Sequence, residues 1–114
     1  MVSWKRKQAK EQLNIKEKNG VVWLSFPALE ESGLVSHSFS TRIGGVSKGV
    51  FSSMNFSFTR GDEPEHVMEN YRRMAEILGT APEKMVLSYQ THTTHVRKVT
   101  EEDEGKGIVR PRDY

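Results

Sequence analysis

The apolar positions along the chain recur with two different periods, and those periods predict its elements. Asn19-Gly20 is a turn signal, and the run VVWLSF (21–26) after it reads as a short buried strand that Pro27 ends. SHSFSTR (36–42) reads as a second extended segment, broken by Gly44-Gly45, and Lys48-Gly49 marks a further turn. Met54, Phe56 and Phe58 then alternate with Ser53, Asn55 and Ser57. That period of two predicts a strand with one apolar and one polar face.

A helical period follows. Val67, Tyr71, Met74 and Leu78 fall on one stripe, which predicts a helix from about Glu63 to Leu78. Asp62 is the expected N-cap, with Glu65 completing an Asp variant of the capping box. Pro64 suits the first turn, where its missing N–H has no intrahelical partner to lose. Glu69 is spaced to pair with Arg73, and Gly79 supplies the C-terminal stop.

From Met85 to Thr100 the composition is strand-like, but the alternation changes phase: Leu87, Tyr89 and Val99 share one parity and Val96 takes the other. A bend or bulge near 90–95 would produce this, and such kinks re-aim side chains. The acidic run EEDE (101–104) and Gly105-Lys106-Gly107 read as an exposed loop. No internal repeat or low-complexity segment is visible.

Length and charge add limits to this picture. The 114 residues suit one small domain. No apolar run approaches the roughly 18 residues that span a bilayer, and no apolar segment follows the basic N-terminus as a secretory signal requires. A cytoplasmic protein is expected. The net charge of +2 is unevenly distributed, because residues 1–18 form a basic polar leader and the remainder is mildly acidic. Without aromatic residues interleaved among its cations, the leader is a weak case for nucleic-acid binding. There is no cysteine, so neither a disulfide nor a thiolate metal ligand can come from these residues.

Three stretches could carry chemistry. In QTHTTH (90–95), His92 and His95 have opposite parity in an extended chain and point apart, so one of them at most would ligate a given metal unless the backbone bends. Zinc needs four ligands, or three and a water, and the other histidines are His37 and His66, the latter expected to be exposed on the helix. In FSTRIGGVSKG (39–49), Arg42 beside the glycine pair, with the Ser40 and Thr41 hydroxyls, could bind an anion through its guanidinium and free backbone N–H groups. The same residues also read as a glycine turn with a surface arginine. Asn55 could bind a ligand or tie down a neighbouring loop.

In combination these stretches are far more specific. F-S-T-R-x-G-G-V-S-x-G, S-M-N, the Gly-Asp before the helix, E-N-Y-R-R and Q-x-H, in this order from about Gly20 to Tyr114, closely resemble the laccase-domain family. That family was long labelled multicopper polyphenol oxidases and is understood as zinc-dependent purine nucleoside phosphorylases. The resemblance implies an α+β fold, a layered sandwich of mixed β-sheet with flanking helices, of which residues 19–114 would be the N-terminal part. It implies phosphorolysis of adenosine, inosine or guanosine, with adenosine deamination beside it.

Residue by residue, the resemblance gives His92 as a metal ligand and assigns His95 no such role. Arg42 and Asn55 are the expected catalytic residues, and both, with Ser40, are the expected substrate-binding residues. The family's other metal ligands, in A-D-C and H-x-G-W-R-G segments, do not occur here. Zinc is therefore the expected cofactor, with copper as the alternative, and the missing ligands would come from a C-terminal half or a partner chain. A non-catalytic remnant or binding domain is the competing expectation, and polyphenol oxidation the older one.

Overall fold

The structure, a computed structural model, describes residues 13–114; most of the basic leader lies outside these residues. β1 (Asn14–Lys18) and β2 (Val21–Ser25) form an antiparallel hairpin in which Lys18 faces Val21 and Asn14 faces Ser25. Asn19 and Gly20 make its two-residue turn with φ of 53° and 82°, the positive pair for which Asn-Gly is suited. The hairpin thus begins inside the stretch read as a leader. Pro27 opens α1 (Pro27–Ser32), and β3 (Phe39–Ser40) pairs with the other side of β2. The expected α+β arrangement is present, but the sheet of the described residues is antiparallel throughout, in the order β1-β2-β3, where a mixed sheet was expected.

α2 (Pro64–Leu78) is the main helix, one residue shorter than its apolar stripe predicts. Glu63 occupies the N-cap position, and Asp62, expected there, accepts the Glu63 N–H at 2.8 Å from one residue earlier; the capping box with Glu65 does not form. The pair Glu69–Arg73 forms at 3.1 Å. Gly79 ends the helix in the left-handed conformation (φ 77°), its N–H meeting the Ala75 and Glu76 carbonyls. Val67, Tyr71 and Met74 are buried as expected, and Asn70 and Ala75 join them.

Two clusters line the underside of α2. Val21, Met54 and Met74 form one; Val67, Tyr71 and Ile108 form the other. Phe56 packs against both, with its ring 4.9 Å from that of Tyr71.

The strand expected at 53–58 does not form. Its apolar parity is real, since Met54 is buried and Phe56 and Phe58 pack on the second cluster or both. Side chains instead take the backbone groups that a ladder would use. The Asn55 amide bonds the N–H and C=O of Ser57, Tyr71 Oη donates to the Phe56 carbonyl at 2.6 Å, and Asn70 Nδ2 donates to the Asn55 carbonyl at 2.8 Å.

The C-terminal stretch also departs from expectation. Residues 85–100 form no strand, although the chain does bend at His92–Thr93. The acidic run is a 3-10 turn (Glu101–Asp103) capped by Thr100, and Asp103 is 6% exposed, where an exposed loop was expected. Lys106 Nζ at 2.7 Å and Arg97 Nη2 at 3.3 Å neutralise it. Among the described residues no helix is long and apolar enough to cross a membrane.

Asn70 is fully buried and bonds three separate groups, which makes it the sharpest test of this packing. Asn70→Ala strands the Val46 N–H and the Asn55 carbonyl, at about 1–3 kcal/mol for each unpaired group. Thermal unfolding should show a fall in Tm of at least ~8 °C. A fall of only ~2 °C would mean that the 44–56 loop is anchored by something other than this amide.

Candidate active site

The loop from Phe39 to Asn55 carries Ser40, Arg42 and Asn55, and α2 holds it from below. Asn70 Oδ1 accepts the Val46 N–H at 2.8 Å, and its Nδ2 donates to Ser47 Oγ at 2.9 Å. Arg73 Nη1 donates to the Gly44 carbonyl at 2.7 Å. Ser47 Oγ in turn donates to Asp62 Oδ2 at 2.5 Å. The E-N-Y-R-R stretch therefore acts as an anchor, with Asn70 and Arg73 gripping the loop and Tyr71 the Phe56 carbonyl just after it.

The glycine pair has a packing reason. A Cβ on Gly44 would collide with the backbone of Val21 and Gly20, and one on Gly45 with the backbone of Ser53 and Met54. The backbone donors beside them are largely engaged: Ile43 N–H meets Thr41 Oγ1, Gly45 N–H meets Ser53 Oγ, Val46 N–H meets Asn70 and Ser47 N–H meets the Ser53 carbonyl. The expectation of free N–H groups for an anion is corrected at these positions, because the loop's own polar groups occupy them.

Arg42 is exposed, and its Nε and Nη2 both donate to the Ser52 carbonyl at 3.1 Å. That bidentate grip fixes one edge of the guanidinium. A guanidinium has five N–H groups in all, so its remaining donors are available to an anion. Ser40 lies two residues upstream in β3, opposite Trp23.

Asn55 ties down its loop. Its Nδ2 donates to the Ser57 carbonyl at 3.2 Å and to Asp62 Oδ2 at 3.1 Å, and its Oδ1 accepts the Ser57 N–H at 3.1 Å. The Ser47 hydroxyl, followed by the Asn55 amide and the Glu63 N–H, holds the Asp62 carboxyl below its ordinary range. His66 Nδ1 stands 3.8 Å from the same carboxylate, so the imidazole is half-buried where full exposure was expected. His37 Nε2 accepts the Phe26 N–H at 2.8 Å, which accounts for it structurally.

His92 belongs to a separate segment, and no hydrogen bond among the described residues joins it to Ser40, Arg42 or Asn55. It sits at φ 57°, a left-handed conformation unusual for a side chain other than glycine, and is exposed. Gln90 Oε1 accepts its backbone N–H at 2.9 Å, so the Gln of Q-x-H closes the turn that presents the imidazole. Among the described residues, no three His, Cys, Asp or Glu side chains converge to hold a metal. One imidazole does not make a zinc site. Any zinc held at His92 takes its other donors from outside these residues.

Sequence reasoning missed the roles of Asn70, Ser47 and Gln90. Asn70 left a signal, since a polar residue three positions after Val67 lies on the buried stripe. Ser47 left none.

Residues 36–113 match the family described as multi-copper polyphenol oxidoreductase laccase. The chain is 39% identical over 85 residues to "Purine nucleoside phosphorylase YlmD" of Geobacillus stearothermophilus, covering 75% of this chain and 31% of that protein. It is 44% identical over 63 residues to "Purine nucleoside phosphorylase YfiH" of Escherichia coli, covering 55% of this chain and 26% of that one. The crystal structure of YlmD from Geobacillus stearothermophilus superposes with a TM-score of 0.73 at 35% identity, over 87% of this chain and 35% of its own. The chain thus spans about a third or less of the length of these relatives.

Two depressed carboxyls bear on the stability of this region in acid. Asp62 and Asp103 both titrate below their ordinary value of 3.8, Asp103 chiefly because Lys106 bonds it. A carboxyl depressed in the folded state contributes stability above its unfolded pKa, and that contribution is lost as pH falls through the folded value. Tm should therefore be insensitive to these two groups above their ordinary carboxylate range and should fall as the pH drops below it. Asp103→Asn should lower Tm at neutral pH and flatten the acid limb. An unchanged acid limb in the variant would remove Asp103 from this account.

Proposed function

Because the chain belongs to the multi-copper polyphenol oxidoreductase laccase family, we propose that it forms the phosphate- and substrate-contacting part of a cytoplasmic, zinc-dependent purine nucleoside phosphorylase. The observation that carries this reading is the 39% identity, over 75% of the chain, to a protein named for that activity. The substrates are adenosine, inosine or guanosine with inorganic phosphate, and deamination of adenosine to inosine and ammonia is a second activity of the same site.

In phosphorolysis a phosphate oxygen bonds to the anomeric carbon as the N-glycosidic bond breaks. The bonding pair leaves with the purine, which takes up a proton, and ribose 1-phosphate remains. The requirement on the protein is to hold an anion beside a sugar that gains positive charge. Arg42 is suited to meet it, because Ser52 fixes one edge of its guanidinium and charge-assisted bonds from the remaining N–H groups hold phosphate. Pinning the side chain beforehand reduces the entropy lost when the anion binds. Ser40 shapes the same loop. Asn55 is a positioning residue, since its amide sets the 55–62 turn through Ser57 and Asp62. His92 is the zinc ligand this chain offers.

A non-catalytic binding domain is the second reading, and the lone presented imidazole favours it. Copper-dependent phenol oxidation is a third reading, and it calls for clustered histidines.

The test is release of adenine from adenosine with and without phosphate by the protein that contains this chain. Release should depend on phosphate. Arg42→Ala should lower kcat/KM by about 100-fold or more, mostly at limiting phosphate. His92→Ala should lose stoichiometric zinc while Tm stays within a few degrees, since the side chain is exposed. The 114 residues by themselves should release little or no base. Phosphate-independent turnover, or full activity in Arg42→Ala, would defeat the reading.

A further inference from the structure

The chain has four asparagines, and one of them stands in surroundings unlike the rest. Asn14 Nδ2 donates to Glu30, the Asn55 amide bonds Ser57 and Asp62, and Asn70 is buried among three partners. Each of these is followed by a large side chain, Ile15, Phe56 or Tyr71. Asn19 differs on both counts. It is exposed, its carboxamide has no hydrogen-bond partner among the described residues, and Gly20 follows it. The Gly20 N–H also has no partner among the described residues, and nothing lies within 4 Å of where a Cβ on Gly20 would stand. Asparagine is a thermolabile residue because a main-chain nitrogen can attack its carboxamide. That attack needs an unbonded amide, an open approach and backbone freedom, and Gly20 offers all three.

We propose that Asn19-Gly20 is a site of spontaneous deamidation, and that its isoaspartyl product loosens the loop that carries Arg42. The Gly20 nitrogen bonds to Asn19 Cγ as the C–NH2 bond breaks, and the amide proton leaves with the amine as ammonia. Water then opens the five-membered imide. Opening on the side-chain carbonyl gives aspartate; opening on the main-chain carbonyl gives isoaspartate, in which the chain runs through Cβ and Cγ and is longer by one methylene. An exposed turn tolerates the new charge by itself, so the effect belongs to the longer linkage. The two-residue turn closes the register between Lys18 and Val21, with Asn19 and Gly20 both at positive φ, and an added methylene cannot keep that geometry. The shift reaches the loop directly. Gly44 packs so closely on the Gly20 and Val21 backbone that a Cβ has no room there, and the Val22 N–H donates to the Ile43 carbonyl at 3.3 Å. This chemistry is independent of the reaction proposed above.

Ageing the protein that contains this chain at mildly alkaline pH, followed by peptide mass spectrometry and isoaspartate detection, tests the proposal. A mass gain of about one dalton should accumulate at Asn19, mostly as isoaspartate, while Asn14, Asn55 and Asn70 stay intact. In the isoaspartyl species the amides of Val22 and Ser53, which bond the Ile43 and Arg42 carbonyls, should exchange hydrogen at least ~10-fold faster than in fresh protein. Freshly prepared Asn19→Asp, which carries the charge without the extra methylene, should exchange as fresh protein does. Asn19→Gly keeps a turn suited to positive φ without a carboxamide, and it should age unchanged. Asn19 left intact after a free peptide of the same sequence has reacted, or gain of mass first at another asparagine, would overturn the site. Isoaspartate at residue 19 with unaltered exchange at Val22 and Ser53 would overturn its link to the loop.

Discussion

One buried amide organises the loop that carries the proposed chemistry. Asn70, on the inner face of α2, has no solvent contact and meets the Val46 N–H, the Ser47 hydroxyl and the Asn55 carbonyl. A polar group taken out of water costs several kcal/mol unless its bonds are replaced, so the loop must come to the helix in one geometry for the fold to be stable. Ser47 extends the constraint to Asp62, and Asp62 extends it to Asn55 and the start of the helix. The position of Arg42 is set at the far end of this chain of bonds, where the Ser53 N–H and hydroxyl hold its carbonyl. The helix stabilises the loop, and the loop in turn closes the polar inner face of the helix.

Much of this was legible in the residue pattern. The helix, its Pro64 start and its Gly79 stop follow from local rules that tertiary packing did not override, and so do the Asn19-Gly20 turn and the buried β2. The strand at 53–58 was not legible because alternation reports which side chains face the core, and says nothing of what satisfies the backbone. Asn55, Asn70 and Tyr71 satisfy it here, and two of those three lie on a distant element. The acidic turn at 101–103 failed for a similar reason: its cations, Arg97 and Lys106, are near in sequence, but their convergence on Asp103 depends on how the chain turns.

The candidate site divides along the same line. Arg42 and His92 are proposed through the order of short motifs, and the structure adds the devices that orient each: the Ser52 carbonyl for one, the Gln90 side chain for the other. For Asn55 it adds a set of loop-tying hydrogen bonds, and for the glycine pair a close packing against backbone. A motif thus marks that a residue type is required without saying which physical demand requires it.

Phe56 has a consequence for how the molecule comes apart. Because its ring touches both apolar clusters beneath α2, neither cluster can open without disturbing the other. The hairpin end and the C-terminal end of the core are thereby joined into one cooperative unit, with subglobal opening confined to segments such as 88–100 that stand outside it.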